Sequence, residues 1–120
     1  MKISEQLLQC AAEVRRGWTQ FALEDNSGNV CAYGAMNRVA YGGAMRLGDN
    51  IQRLGLVRYL QKALGQSIPT IVDWNNAFTR TQENVAQAFE LAAILAEQDE
   101  ARIGVSETMP AYVEVMGITQ

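Results

Sequence analysis

The stretch Thr81–Gln98, TQENVAQAFELAAILAEQ, carries the strongest secondary-structure signal in the chain. Its apolar residues recur at intervals of three and four positions: Val85, Ala88, Phe89, Ala92 and Leu95. This spacing places them on one face of a helix that begins at Thr81 or Gln82. A threonine at the start of the stretch is also a good N-cap residue, and Thr79 is the alternative cap. The stretch therefore indicates a mainly α fold.

Three further helices are predicted upstream of this one. They span Ser4 to Arg16, Ala32 to Tyr41 and Ile51 to Leu64. Each shows apolar residues at helical spacing, and each is followed directly by a glycine, which is typical of a helix end. Ser4 is predicted to be the N-cap of the first helix.

Between the first two helices, the sequence favours extended structure. Residues 18–23 begin with strand-preferring side chains, and residues 24–29, EDNSGN, form a concentrated turn signal. Val30 and Cys31 then provide a return strand. We predict a short β-hairpin at residues 18–31.

The C-terminal residues 101–120 have no helical period. Residues 112–116, YVEVM, alternate like an edge strand and follow Pro110. The sequence is compatible with three states of this tail: it packs on the helical domain, it pairs with another subunit, or it is mobile. The predicted architecture is mainly α (α+β): a single helical domain over residues 1–100, with about four helices and the short hairpin, followed by an irregular or strand-like tail.

Composition excludes several classes of function. The 120 residues include 10 basic and 13 acidic side chains, which give a net charge of −3 and no electrostatic basis for binding long nucleic acids. No apolar run reaches the ~18 residues of a membrane span, and the N-terminus has no signal core, so a cytoplasmic protein that does not enter a membrane is expected. The two cysteines are expected to be buried thiols. Histidine is absent, so no Ser-His or Cys-His nucleophile can form, and no metal or cofactor is expected.

The candidate binding site lies in Ile71–Thr81, IVDWNNAFTRT. A ligand with a planar ring could stack on Trp74 while Arg80 and the amides of Asn75 and Asn76 hold its polar edge, next to a helix N-terminus that favours anions. The alternative is structural: Trp74 fills the core, the amides satisfy loop backbone groups and Arg80 is solvated. Asp73, beside Trp74, is a candidate base.

Two aromatic residues from other segments complete the candidate site. Trp18 and Tyr33 lie near the predicted hairpin and the second helix, where a packing role is the favoured alternative. The full ligand-binding set is Trp18, Tyr33, Asp73, Trp74, Asn75, Asn76 and Arg80.

Four short motifs carry a resemblance to a known family. They are Gly17–Gln20 (GWTQ), Asn29–Ala35 (NVCAYGA), Asp73–Asn76 (DWNN) and Thr79–Thr81 (TRT) with Val85. Together they resemble an uncharacterised family, a domain of unknown function, of small proteins found mainly in actinobacteria and their phages. Its pattern reads as a helix, a GWTQG-like strand, a turn, a C-A-x-G-A helix start, and a W-N-D segment followed by R-T and a helix.

The similarity covers roughly Leu7 to Leu95. This chain has Phe21 where the pattern has Gly, and Asn76 where the pattern has Asp. The resemblance implies an order of elements and no activity.

Three functions are consistent with these features. The first is a non-enzymatic phage or bacterial accessory protein that binds or sequesters a small polar ligand, with nucleotide-derived signals as the first class to test. The second is a protein-interaction module or inhibitor, in which exposed aromatic residues and the tail bind a host protein or a second copy of the chain. The third is a histidine-free enzyme with Asp73 as base and Arg80 as electrostatic stabiliser.

Overall fold

A computed structural model describes residues 1–46, 51–65 and 70–103. Within these ranges the chain forms five helices: α1 (Ile3–Arg16), α2 (Ala32–Tyr41), α3 (Ile51–Leu64), α4 (Ile71–Asn75) and α5 (Gln82–Ile103). The helices predicted at residues 32–41 and 51–64 are observed with those bounds. The C-terminal strand-like segment predicted at residues 112–116 lies outside the described residues.

Helices α1 and α5 pack against each other in antiparallel orientation. Ser4, near the start of α1, donates its hydroxyl to Glu100 near the end of α5, over 2.6 Å. At the other end of the pair, Arg15 bonds Glu83 in the first turn of α5. Leu7, Val14, Val85 and Phe89 are fully buried in the core, and each large apolar side chain removed from water contributes about 1.5–3 kcal/mol.

Helices α2 and α3 complete the core. Leu56 and Leu60 of α3 are fully buried, and the Tyr59 hydroxyl donates to Asp99 of α5 over 2.7 Å. At Gly34 in α2, an added Cβ would lie 2.1 Å from the backbone oxygen of Leu23, so only glycine allows this close approach of the loop to the helix.

The predicted β-hairpin at residues 18–31 is wrong, and so is the α+β class: the described residues contain no strand, only two isolated bridges that share Val30. Val30 pairs in parallel with Trp18 and antiparallel with Glu24. It therefore lies between two passes of the loop, and neither pair extends into a ladder. Phe21 adopts a left-handed backbone conformation, with φ of 67°, which turns the chain away after Gln20.

Two details at helix starts also differ from prediction. Helix α1 begins one residue before Ser4, with Lys2 as its N-cap, and Ser4 instead bonds Glu100. Helix α4 was not predicted at all. It has only five residues, and its N-cap is Thr70, whose hydroxyl accepts the backbone N–H of Asp73 over 2.9 Å.

The start of α5 agrees with the prediction of a threonine cap. Thr81 accepts the backbone N–H of Asn84 through its hydroxyl, and Asn84 accepts the backbone N–H of Thr81 through its side chain, both over 3.1 Å. None of the helices in the described part of the chain is both long and apolar enough to cross a membrane.

Candidate functional site

The side chain of Asn75 joins three separate segments of the chain. It is 1% exposed. Its Oδ1 accepts the indole N–H of Trp18 over 2.8 Å and the backbone N–H of Ala32 over 3.0 Å. Its Nδ2 donates to the backbone oxygen of Thr19 over 3.2 Å and to Oδ1 of Asn76 over 3.1 Å. The four bonds use the full donor and acceptor capacity of a primary amide.

Two further amides extend this contact. Nε2 of Gln20 donates to the backbone oxygens of Asn75 and Ala77, each over 3.0 Å. Oδ1 of Asn76 accepts the backbone N–H of Phe21 over 2.9 Å. We call Gln20, Asn75 and Asn76 the amide clamp, because together they hold the loop after α1 against the end of α4.

The amide clamp gives a local reason for the polar cluster in the sequence. The Ala32 N–H belongs to the first turn of α2, where backbone N–H groups have no partner within the helix. Asn75 supplies that partner from 43 positions away in sequence. Trp18 is half-buried, and its indole N–H donates to the same oxygen atom, since an indole N–H removed from water usually finds an acceptor.

Trp74 and Arg80 are in contact with each other. The guanidinium carbon of Arg80 lies 4.4 Å from the centroid of the Trp74 ring, and its Nε donates to the backbone oxygen of Trp74 over 2.9 Å. Trp74 also packs against the core. The guanidinium covers one face of the ring, so a planar ligand could stack on that face only after Arg80 moves.

The remaining predicted site residues lie apart from this contact. The Tyr33 hydroxyl accepts a hydrogen bond from Arg53 of α3 over 2.6 Å, so Tyr33 links α2 to α3. Asp73 is exposed, and its carboxylate makes no hydrogen bond or ion pair with any residue that the structure describes. The structure thus brings Trp18 together with Asn75 and Asn76, and Trp74 together with Arg80. The prediction that the seven residues bind a ligand stays a prediction.

An open apolar groove of about 360 Å³ lies beside the amide clamp. Its lining consists of Phe21, Ala22, Leu23, Cys31 and Val72, together with Asn75 and Asn76. We call this the apolar groove. Two of its large apolar side chains face solvent: Phe21 is 78% exposed and Val72 is 45% exposed.

A third exposed apolar side chain lies close to the groove in sequence. Phe78 is fully exposed and directly follows Ala77, whose backbone oxygen is held by Gln20. Sequence reasoning missed the groove and all three of these residues. Phe21 and Phe78 are aromatic residues in loops, and neither belongs to a set of apolar residues at helical spacing. This feature of the sequence could have predicted their exposure.

Cys31, which also lines the groove, is a structural residue. It is the N-cap of α2, and its sulfur accepts the backbone N–H of Gly34 over 3.3 Å. Burial raises the pKa of the Cys31 thiol, which keeps it protonated and poorly nucleophilic at neutral pH. Among the residues described, no group of three or more Cys, Asp or Glu side chains is arranged to hold a metal ion.

Comparison with curated proteins and with solved structures finds no match. The sequence profile of a family of unknown function, DUF6197, matches residues 2–95, which include the amide clamp, the apolar groove and the start of α5. The match covers most of the chain and confirms the resemblance to a domain of unknown function. The chain belongs to this family of unknown function (DUF6197).

Proposed function

We propose that the protein is a protein-interaction module whose apolar groove receives a large apolar side chain from a partner protein. The observation that carries this proposal is the exposure of Phe21, Val72 and Phe78, at 78%, 45% and 100%. Isolated exposed apolar residues are common on protein surfaces, but exposed apolar side chains that line a groove, as Phe21 and Val72 do, are typical of an interaction site. The interaction is proposed to take place in the cytoplasm, the compartment expected from the sequence.

The character of the groove favours a protein side chain over a free small molecule. Its volume of about 360 Å³ is near the lower end of the range for small-molecule pockets, which bury most of their ligand. Aromatic residues such as Phe21 and Phe78 are enriched at protein interfaces. The neighbouring amides of Asn75 and Asn76 are already bonded within the protein, so they offer few free polar groups to orient a polar ligand.

Photo-crosslinking tests the proposal. A photoreactive phenylalanine analogue placed at position 21 keeps an exposed aromatic ring in the lining of the groove, and irradiation in the native cells should join it to one partner that mass spectrometry identifies. With that partner purified, Phe21→Ser is expected to weaken binding about tenfold or more, the usual effect of removing an aromatic anchor. Val72→Asp should do the same.

The matched control is Leu54→Asp, which places a charge at an apolar position of similar exposure, 53%, on α3. It should leave the affinity unchanged. Equal affinities for Phe21→Ser, Val72→Asp and wild type would contradict the proposal, as would the failure of the analogue at position 21 to capture any protein.

A second candidate function is the binding of a small anionic ligand, such as a nucleotide-derived signal, at Arg80. One observation favours it: the terminal nitrogens of Arg80 have no hydrogen-bond partner among the described residues, although Trp74 fixes the guanidinium in place. A fixed Arg side chain with free donors suits phosphate or carboxylate groups.

Native mass spectrometry distinguishes this second candidate from the first. Protein purified from a nucleotide-rich lysate should carry a small additional mass that is lost in Arg80→Gln and retained in Val72→Asp. An unmodified protein mass in wild type, or an added mass that persists in Arg80→Gln, would contradict a ligand site at Arg80.

A further inference from the structure

Phe21 combines a strained backbone conformation with a solvent-exposed side chain. It is the one residue other than glycine with a positive φ in the described ranges, at 67°, and a side chain with a Cβ is strained in this left-handed region. Its ring is nevertheless 78% exposed, so burial of the ring does not offset the strain. Strained residues persist where surrounding contacts hold them, and such residues are concentrated at functional sites.

The contact that holds Phe21 comes from Asn76. Oδ1 of Asn76 accepts the backbone N–H of Phe21 over 2.9 Å, and the same oxygen accepts Nδ2 of Asn75 over 3.1 Å. Asn75 is itself buried and bonded to Trp18 and Ala32. Asn75 therefore links the acceptor, Oδ1 of Asn76, to the buried interior of the protein.

A second contact anchors the residue before Phe21. Nε2 of Gln20 bonds the backbone oxygens of Asn75 and Ala77, so the loop on the N-terminal side of Phe21 is attached to the same turn after α4. Between these anchors, the dihedral angles of Phe21 have little freedom.

We infer that Asn76 is a positioning residue: it holds the backbone of Phe21 in the left-handed conformation and so fixes the Phe21 ring beside the apolar groove before a partner arrives. The role of the ring in binding rests on the proposed function, whereas the role of Asn76 in fixing the backbone does not. A side chain that is ordered in the free protein loses less entropy on binding, which favours affinity.

NMR spectroscopy tests the backbone role without any partner. A residue with φ near 60° has its amide and α protons unusually close, so wild type should give a strong intraresidue cross-peak between these protons at Phe21. Asn76→Ala removes the acceptor and should weaken that cross-peak several-fold. Asn76→Asp keeps an oxygen at the same position and should preserve it.

Hydrogen exchange gives an independent reading of the same contact. The Phe21 amide should exchange slowly in wild type and in Asn76→Asp, and fast in Asn76→Ala. If Asn76→Ala does not fold, Asn76→Ser serves instead, because its shorter side chain does not reach the Phe21 N–H. A strong cross-peak and slow exchange in the variant without an acceptor would overturn the inference, and so would a weak cross-peak in wild type.

The partner captured by photo-crosslinking then tests the consequence for binding. Asn76→Ala should weaken binding about as much as Phe21→Gly, which keeps the backbone conformation but removes the ring, and Asn76→Asp should bind like wild type. Unchanged affinity in Asn76→Ala, with the cross-peak lost, would overturn the role of Asn76 in presenting the ring. The absence of any partner would contradict the proposed function alone, since the NMR result is obtained on the free protein.

Discussion

In the α1/α5 pair the largest fully buried side chains are apolar, among them Leu7, Val14 and Phe89, while the buried polar side chains, Ser4 and Gln6, lie near the start of α1. In the clamp region, which we define as residues 17–34 and 70–80, the central buried side chain is the amide of Asn75. The polar contacts of the α1/α5 pair lie mostly at its surface, as in the exposed bonds of Arg15 to Glu83 and Glu90, whereas the hydrogen bonds of Asn75 in the clamp region are buried or half-buried.

This difference has an energetic consequence. Apolar burial is non-directional and tolerates small rearrangements, so the α1/α5 pair depends on total buried area. A buried amide stabilises only when each of its groups is bonded, and the loss of one partner leaves another group unsatisfied. We therefore expect the clamp region to be the more sensitive of the two to single polar substitutions.

The largest expected effect is that of Asn75→Ala. The change removes four hydrogen bonds and leaves the Trp18 indole N–H and the Ala32 backbone N–H without an acceptor. The free energy of unfolding should fall by roughly 3–4 kcal/mol, as measured by urea denaturation.

Two variants sharpen this result. Asn26→Ala, at an exposed turn position, should change stability by no more than ~0.5 kcal/mol. Asn75→Asp keeps the acceptor for Trp18 and Ala32 but loses the donor, so its stability should lie between those of wild type and Asn75→Ala. If Asn75→Ala cost no more than Asn26→Ala, the amide would not be a structural element.

Gly34→Ala should have the next largest effect. The added Cβ would lie 2.1 Å from the Leu23 backbone oxygen, which cannot move away as a flexible side chain can. We expect a loss of about 2–3 kcal/mol. Gly55→Ala, in α3, is the matched control, because its Cβ would meet only the end of the Ile3 side chain at 3.0 Å and alanine favours the helix by up to ~1 kcal/mol. A neutral Gly34→Ala would contradict the close approach of loop and helix.

Tyr59→Phe tests the contact between α3 and α5 through its pH dependence. Burial, followed by the hydrogen bond to Asp99, raises the pKa of Tyr59 to about 12. Its ordinary pKa is about 10, so the folded state disfavours the ionised form. The stability contributed by neutral Tyr59 is thus fully present below about pH 10 and is lost as the pH rises towards about 12.

Thermal unfolding between pH 8 and pH 12 measures this effect. The melting temperature of wild type should fall more steeply above pH 10 than that of Tyr59→Phe, while at pH 8 wild type should be the more stable protein. Parallel curves for the two proteins across the whole range would show that Tyr59 is not held neutral by the fold.

Arg15→Gln should give the smallest effect. Arg15 bonds Glu83 and Glu90, but all three side chains are at least 40% exposed, and exposed ion pairs contribute little and are screened by salt. The melting temperature should fall slightly at low salt and match wild type in 1 M NaCl. A large loss that persists at high salt would mean that the α1/α5 pair depends on its ion pairs rather than on its apolar core.

The sequence predicts correctly those helices whose apolar residues recur at regular helical spacing. Helices α2 and α3 have the predicted bounds because their apolar spacing and following glycines are local signals. Helix α4 was missed because its five residues are too short to show a period. The predicted hairpin failed because a turn signal at residues 24–29 does not specify which segment Val30 will pair with.

The candidate site was predicted only in part, for a related reason. The sequence identified Trp18, Asn75 and Asn76, but not that Trp18 and Asn75 would bond each other across 57 positions. The apolar groove was missed because the sequence does not show the left-handed backbone of Phe21. We infer that this conformation depends on the hydrogen bond that the Phe21 N–H donates to Asn76, 55 positions away.

The most direct test of the amide clamp as an internal structural element is hydrogen exchange at the Ala32 amide and the Trp18 indole in the unmodified protein. The Ala32 N–H has no partner within α2, so protection there reports Asn75 alone. We predict exchange as slow as in the core of α5, at Phe89, and far slower than at Glu83 in the exposed first turn of α5. Exchange of Ala32 and Trp18 as fast as that of Glu83 would contradict the clamp.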